Sequence, residues 1–125
     1  MMNRGKKILI VDDDNRNIFA LRAYLNAKGF DCVAATNSAD AINLLSNETS
    51  IGIVLMDMMM PEKDGFETIT EIRKKPSLQD LPVIAVTAQA MQGDKEKCII
   101  AGADNYISKP VDIDILIKLL DGYLN

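Results

Sequence analysis

The sequence predicts an α/β domain: a five-stranded parallel sheet with helices on both faces. Short apolar runs alternate five times with longer stretches whose apolar residues recur at helical spacing. The runs are apolar throughout, as strands covered on both faces must be. The chain has 125 residues, a single domain over 1–125 with its core at about 6–124, and no linker-like or low-complexity stretch divides it.

The elements follow in order. Lys7–Val11 is a buried strand, rich in Ile and Val. Asn15–Lys28 is a helix with Ile18, Leu21 and Leu25 inward, and Gly29 fits its C-cap. Phe30–Ala35 is the second strand. Thr36, Asn37 and Ser38 offer capping side chains, and Ala39–Asn47 is the second helix, with Ala41, Ile42, Leu44 and Leu45 inward. Ile51–Met56 is a third strand ending at Asp57. A loop with Pro61 and Gly65 leads to a helix over Phe66–Lys75, stopped by Pro76. Pro82–Val86 is the fourth strand, ending at Thr87. Asp94–Ala101 is a helix capped by Gly102. Asn105–Ile107 is a short fifth strand before Lys109–Pro110. Ile113–Leu124 is the last helix, with Ile113, Leu116, Ile117, Leu120 and Leu124 on one side.

Composition removes whole classes of chemistry. The chain has no histidine, so imidazole catalysis, His-containing zinc sites and a phosphohistidine of its own are excluded. Cys32 and Cys98 have no metal-like spacing and read as reduced structural thiols. With 14 basic against 18 acidic residues, the net charge is −4, and nothing marks a basic nucleic-acid face. No apolar run approaches the roughly 20 residues of a membrane span. Only ILIV follows the basic MMNRGKK, too short for an export signal, so a cytoplasmic location is expected.

In open parallel sheets, ligands bind at the carboxyl ends of the strands, where strand order reverses. Asp12, Asp13 and Asp14 follow the first strand, Asp57 the third, Thr87 the fourth, and Lys109 the fifth. A lone aspartate there is ordinarily a turn former or helix cap, and Asp14 fits that role best. The Met56, Met58, Met59, Met60 cluster reads as core and loop packing, since thioether–metal chemistry needs other soft ligands. The coincidence of polar signals at four strand ends points to one pocket. Converging carboxylates repel and call for a hard divalent cation such as Mg²⁺. With a lysine and a hydroxyl alongside, such a pocket suits phosphoryl transfer, and one carboxylate can be the acceptor. Asp57, held by the long buried strand, is the best placed.

Four segments, ILIVDDD, LMDMMMPEKDGFE, VIAVTAQA and GADNYISKPV, resemble in order the receiver domain of response regulators, over roughly Lys6 to Leu124. The wording of DDDNRNIFAL, MMMPEKDGFE and AMQGDKEKC is similar to receivers of hybrid histidine kinases. The resemblance implies the flavodoxin-like strand order 2-1-3-4-5. It implies that Asp57 is the phosphorylated residue, with Lys109 on the phosphoryl oxygens. It implies that Asp13 and Asp57 ligate Mg²⁺ directly, with Mn²⁺ as a substitute. Asp12 acts through water, and the Met59 carbonyl completes the set. Thr87 and Tyr106 are the implied switch, and Met59 and Gln89 tune hydrolysis. The implied phosphoryl donor is a histidine kinase or histidine phosphotransfer protein. The surface of Gln89–Lys97, Asn105–Ile107 and Asp112–Asn125 then acts on an effector protein, as a monomer or a phosphorylation-dependent homodimer.

Two other readings compete. One is a receiver fold that binds a partner without phosphorylation; such members usually lack an acid or the lysine, and all are present here. The other is an aspartate-nucleophile phosphatase. Its Asp-x-Asp pattern is met by Asp12 and Asp14, but Arg16 stands where Thr or Val is usual and the chain is short. A cofactor-binding flavodoxin-like protein fits poorly, because three aspartates repel a flavin phosphate. The expected role is phosphoryl acceptor, not turnover enzyme.

Overall fold

The computed structural model describes residues 6–61, 63–88 and 92–124, with backbone alone over 92–94. Five strands, β1 (Lys7–Val11), β2 (Cys32–Ala35), β3 (Ile51–Asp57), β4 (Val83–Thr87) and β5 (Asn105–Ser108), alternate with five helices. These are α1 (Asn15–Ala27), α2 (Ser38–Asn47), α3 (Gly65–Arg73), α4 (Gln92–Ala101) and α5 (Ile113–Leu124). The strands are all parallel, in the order β2-β1-β3-β4-β5. This is the flavodoxin-like receiver architecture expected above.

Side-chain alternation along buried strands builds two cores, one on each face. Leu9, Val11, Val54, Met56, Val83 and Ala85 pack with Ala41 and Leu45 of α2, Ile69 and Ile72 of α3 and Cys98 of α4. Ile8, Ile10, Ile53, Leu55, Ile84 and Val86 pack with Ile18 and Leu25 of α1 and Leu116 and Leu120 of α5. All seven residues of β3 are buried, which is why its sequence shows no polar alternation.

Caps fix where the helices begin. Asp14 accepts the Arg16 N–H, Asn37 the Asp40 N–H and Asp64 the Glu67 N–H. The second strand starts at Cys32, two residues later than expected, because Phe30 closes the helix end, its N–H donating to the Leu25 carbonyl at 3.0 Å. The third helix ends at Arg73, and Pro76 opens a 3-10 turn over Pro76–Leu78. Strand order reverses between β1 and β3, so the loops after these two strands diverge and leave a crevice.

Candidate functional site

Asp12 and Asp57 stand at the ends of adjacent strands, and Asp13 follows Asp12. Val11 pairs with Met56 in register, which brings the two strand ends level. One carboxylate oxygen from each of Asp12, Asp13 and Asp57 lies within 4.8 Å of the others. Asp12 and Asp57 are buried and Asp13 is exposed. Asp14 is apart from them: it caps α1 and pairs with Arg16 at 3.2 Å.

The methionines alternate along β3 and its continuation. Met56, Met58 and Met60 are buried in the core, whereas Asp57 faces the cluster and Met59 is exposed. The Met59 N–H donates to Asp57 Oδ1 at 3.1 Å. The loop turns back at Gly65, where an added Cβ would stand 2.7 Å from both the Asp57 carbonyl oxygen and Met58 Cα. Only a glycine lets α3 start this close to the end of β3, an approach the sequence marks only as a loop glycine.

Lys109 enters from the β5 side. Its N–H donates to the Thr87 carbonyl at 2.8 Å, and the bond to Pro110 is cis. Its ammonium lies 3.4 Å from Asp57 Oδ1 and 3.9 Å from Asp12 Oδ2. Asp12 also accepts the Asp14 N–H on Oδ1 at 2.9 Å and the Asn17 amide on Oδ2 at 3.3 Å. Burial pushes the Asp12 carboxyl above the ordinary range, and the Asp57 charge adds to this. The Asp14 N–H, Lys109 and Asn17 oppose the rise. Asn17 went unmarked in the sequence, where it reads as a polar residue of a helix.

Three carboxylates against one ammonium leave two negative charges in a mostly buried, all-oxygen donor set. That fits a hard divalent cation. Beside it a cleft of about 320 Å³ runs between α1 and the β5–α5 loop, with Asp12, Asn17, Asp57 and Lys109 among the residues that line it. Thr87 is buried at the end of β4. Tyr106 is half-buried in β5, with the Lys95 ammonium 5.2 Å from its ring centre. Gln89 lies outside the described residues. Among the described residues, no helix is long and apolar enough to cross a membrane.

Residues 8–121 match the family model of the response regulator receiver domain. The polar-differentiation response regulator DivK of Brucella anthropi is 34% identical over 119 residues, 95% of this chain and 96% of that protein. Sensor histidine kinase RcsC of Salmonella typhimurium is 39% identical over 121 residues, 97% of this chain but 12% of that much longer protein. The receiver domain of sensor histidine kinase PA1611 from Pseudomonas aeruginosa was solved with magnesium coordinated in its active-site cleft. It superposes with a TM-score of 0.86 at 31% identity, covering 96% of this chain and 98% of that one. The chain is therefore a member of the response regulator receiver domain family of two-component signalling.

Proposed function

We propose that this receiver takes a phosphoryl group onto Asp57 from a phosphohistidine of a partner histidine kinase or phosphotransfer protein. The observation that carries the proposal is the convergence of Asp12, Asp13 and Asp57 within 4.8 Å, with Lys109 3.4 Å from Asp57. Both described contacts to Asp57, from Met59 and Lys109, fall on Oδ1, which leaves Oδ2 to attack phosphorus. An O–P bond forms and the donor's P–N bond breaks. Its electron pair returns to the ring nitrogen, and the partner leaves as a neutral imidazole when the other nitrogen carries a proton. Lys109 holds the phosphoryl oxygens and balances their charge.

Asp13, Asp57 and the Met59 carbonyl are the proposed direct protein ligands of Mg²⁺. Asp12, both of whose oxygens are already engaged within the chain, acts through water. Held there, a divalent ion would supply charge neutralisation for the carboxylates and for the developing phosphoryl charge. The magnesium in the PA1611 cleft supports a magnesium site in this cleft. The new phosphate draws the Thr87 hydroxyl toward it, and Tyr106 repacks. Two arrangements of the α4–β5–α5 surface then differ in their affinity for an effector protein, in the cytoplasm.

Met59 is apolar and cannot orient a water, whereas Gln89 can. Met59→Asn is therefore expected to shorten the acyl phosphate lifetime by several-fold, followed as loss of the phosphorylated mass; an unchanged lifetime overturns that role.

The test is intact mass after incubation with acetyl phosphate, with and without Mg²⁺, beside Asp57→Asn. One adduct that needs Mg²⁺ and is lost in the variant is expected. No adduct in the native chain overturns the proposal in favour of phosphorylation-independent binding. Continuous release of phosphate from an ester would instead favour the phosphatase reading.

A further inference from the structure

Two donors compete for one oxygen beside the acceptor. Asp12 Oδ2 is approached by the Asn17 side-chain amide at 3.3 Å and by the Lys109 ammonium at 3.9 Å. The same ammonium stands 3.4 Å from Asp57 Oδ1. Lys109 therefore has a choice of two buried carboxylates, and Asn17 stands at one of them.

The two competitors are built differently. Asn17 sits in the first turn of α1, its N–H donating to the Asp14 carbonyl at 3.1 Å, so the main chain delivers its short side chain to Asp12. Lys109 reaches in on a flexible four-carbon stem. The short stem gives the amide few ways to reorient, whereas the long stem lets the ammonium choose between the two carboxylates. An unpartnered, buried carboxylate oxygen is costly. If the Asn17 amide is removed, the nearest donor left to Asp12 Oδ2 among the described residues is Lys109. Moving toward Asp12 takes that charge away from Asp57.

We propose that Asn17 is a positioning residue for phosphoryl acceptance. By engaging Asp12 Oδ2 it keeps Lys109 directed at Asp57 and fixes the orientation in which Asp12 meets the hydrated cation. The proposal rests on Asp57 being the acceptor.

The test compares the native chain with Asn17→Leu, which keeps the shape and loses the donor, Asn17→Ala, and Asn17→Gln, which keeps an amide on a longer stem. Asn17 is exposed, so the fold should survive, and thermal unfolding checks that it does. Mg²⁺ is titrated calorimetrically into each unphosphorylated protein. Phosphorylation by acetyl phosphate is then followed over donor concentration at saturating Mg²⁺. Asn17→Leu and Asn17→Ala are expected to bind Mg²⁺ several-fold more weakly. Their maximal phosphorylation rate should fall about tenfold, near the lower end for one hydrogen bond to a charged group. KM for the donor should hardly change, and Asn17→Gln should recover most of both losses.

Native values in Asn17→Leu overturn the proposal. So does a rate deficit that vanishes at saturating Mg²⁺, since Lys109 is then undisturbed, and so does an Asn17→Gln no better than Asn17→Leu. A native chain that takes no phosphoryl group under any condition instead overturns the reading of Asp57. The Mg²⁺ titrations would still report on the Asn17–Asp12 contact, so the two failures are distinguishable.

Discussion

The two ends of the sheet each carry a lysine facing carboxylates, with opposite consequences. At the amino end, Lys7 lies 2.8 Å from Glu48, with side chains 39% and 30% exposed. At the carboxyl end, Lys109 stands farther off, at 3.4 Å from Asp57 and 3.9 Å from Asp12, but those carboxylates are only 4% and 6% exposed. The shorter pair is the less consequential one. Water screens Lys7 and Glu48, whereas the strands and loops around Asp12 and Asp57 exclude it. At the amino end one acid pairs directly with the base, and Asp31 adds only a weaker, longer-range attraction. At the carboxyl end three acids cluster around a base that pairs with two of them, Asp57 and Asp12, and the surplus charge is what an incoming cation can use.

The comparison breaks most visibly at Lys109. Lys109→Met keeps an aliphatic stem against the cleft and removes the charge. Losing one preorganised charge contact at a phosphoryl-transfer site is expected to slow acceptance by on the order of 10²- to 10³-fold. The rate of adduct formation from acetyl phosphate measures it. A loss below threefold would show that Lys109 is no more than a surface cation.

Gly65→Ala tests whether the carboxyl end depends on backbone fit as well as charge. The new Cβ would press on the Asp57 carbonyl oxygen and Met58 Cα at 2.7 Å, and backbone atoms there cannot step aside. Overpacking of this kind costs about 1–3 kcal/mol. Urea unfolding should show that loss together with slower phosphorylation, because the strain is delivered to the peptide of Asp57. Unchanged stability would mean that the β3–α3 loop yields freely.

Asp12→Asn separates stability from function. Carboxylate oxygens within 4.8 Å of one another repel by roughly 3 kcal/mol or more at an effective dielectric of 20, of which Lys109 offsets a large part. Without Mg²⁺ the variant should therefore be more stable than the native chain, by on the order of 1 kcal/mol. Its Mg²⁺ affinity should fall at least tenfold. A variant that is less stable without metal would show that the Lys109–Asp12 attraction outweighs the repulsion.

The sequence made the carboxylate cluster legible because its chemistry is written as residue type at strand ends. Asp12, Asp13, Asp57, Thr87 and Lys109 each follow an apolar run, and parallel topology brings such ends to one edge. What stayed hidden depends on contacts between residues far apart in the chain. Arg73 reads as a helix-end arginine. Yet its guanidinium donates to the carbonyls of Gly102, Leu78, Gln79 and Leu81 and pairs with Asp104, joining α3, the 3-10 turn and the end of α4. No local pattern announces partners up to 31 residues away. Gly65 and Asn17 were hidden for the same reason: a close approach and a shared oxygen are properties of two segments, not one. Thr68, mid-helix in α3, likewise pairs its hydroxyl with Ser38 of α2 inside the core.

The smallest effect lies at the amino end, where Lys7→Met removes the ion pair and keeps an apolar stem. Hydrogen bonds from Lys7 and Ser50 hold the Glu48 carboxyl below its ordinary value near 4.5. A depressed acid contributes stability above its unfolded value, and that contribution disappears as pH falls through the folded one. The Glu48 carboxylate in turn raises the Lys7 ammonium above 10.5. A raised base contributes below its unfolded value and loses that contribution as pH rises through the folded one. The pair therefore acts only in the window between these two titrations. Melting curves of Lys7→Met should lie slightly below those of the native chain at pH 7 in low salt. The two should converge in acid once Glu48 is protonated, and also at neutral pH in 1 M salt, where charges are screened beyond about 3 Å. Phosphorylation of Asp57 should not change, since Lys7 starts the strand whose far end carries Asp12. A difference that persists in acid would mean that Lys7 acts through the packing of its stem, and the contrast between the two ends would then be one of shape more than of solvent.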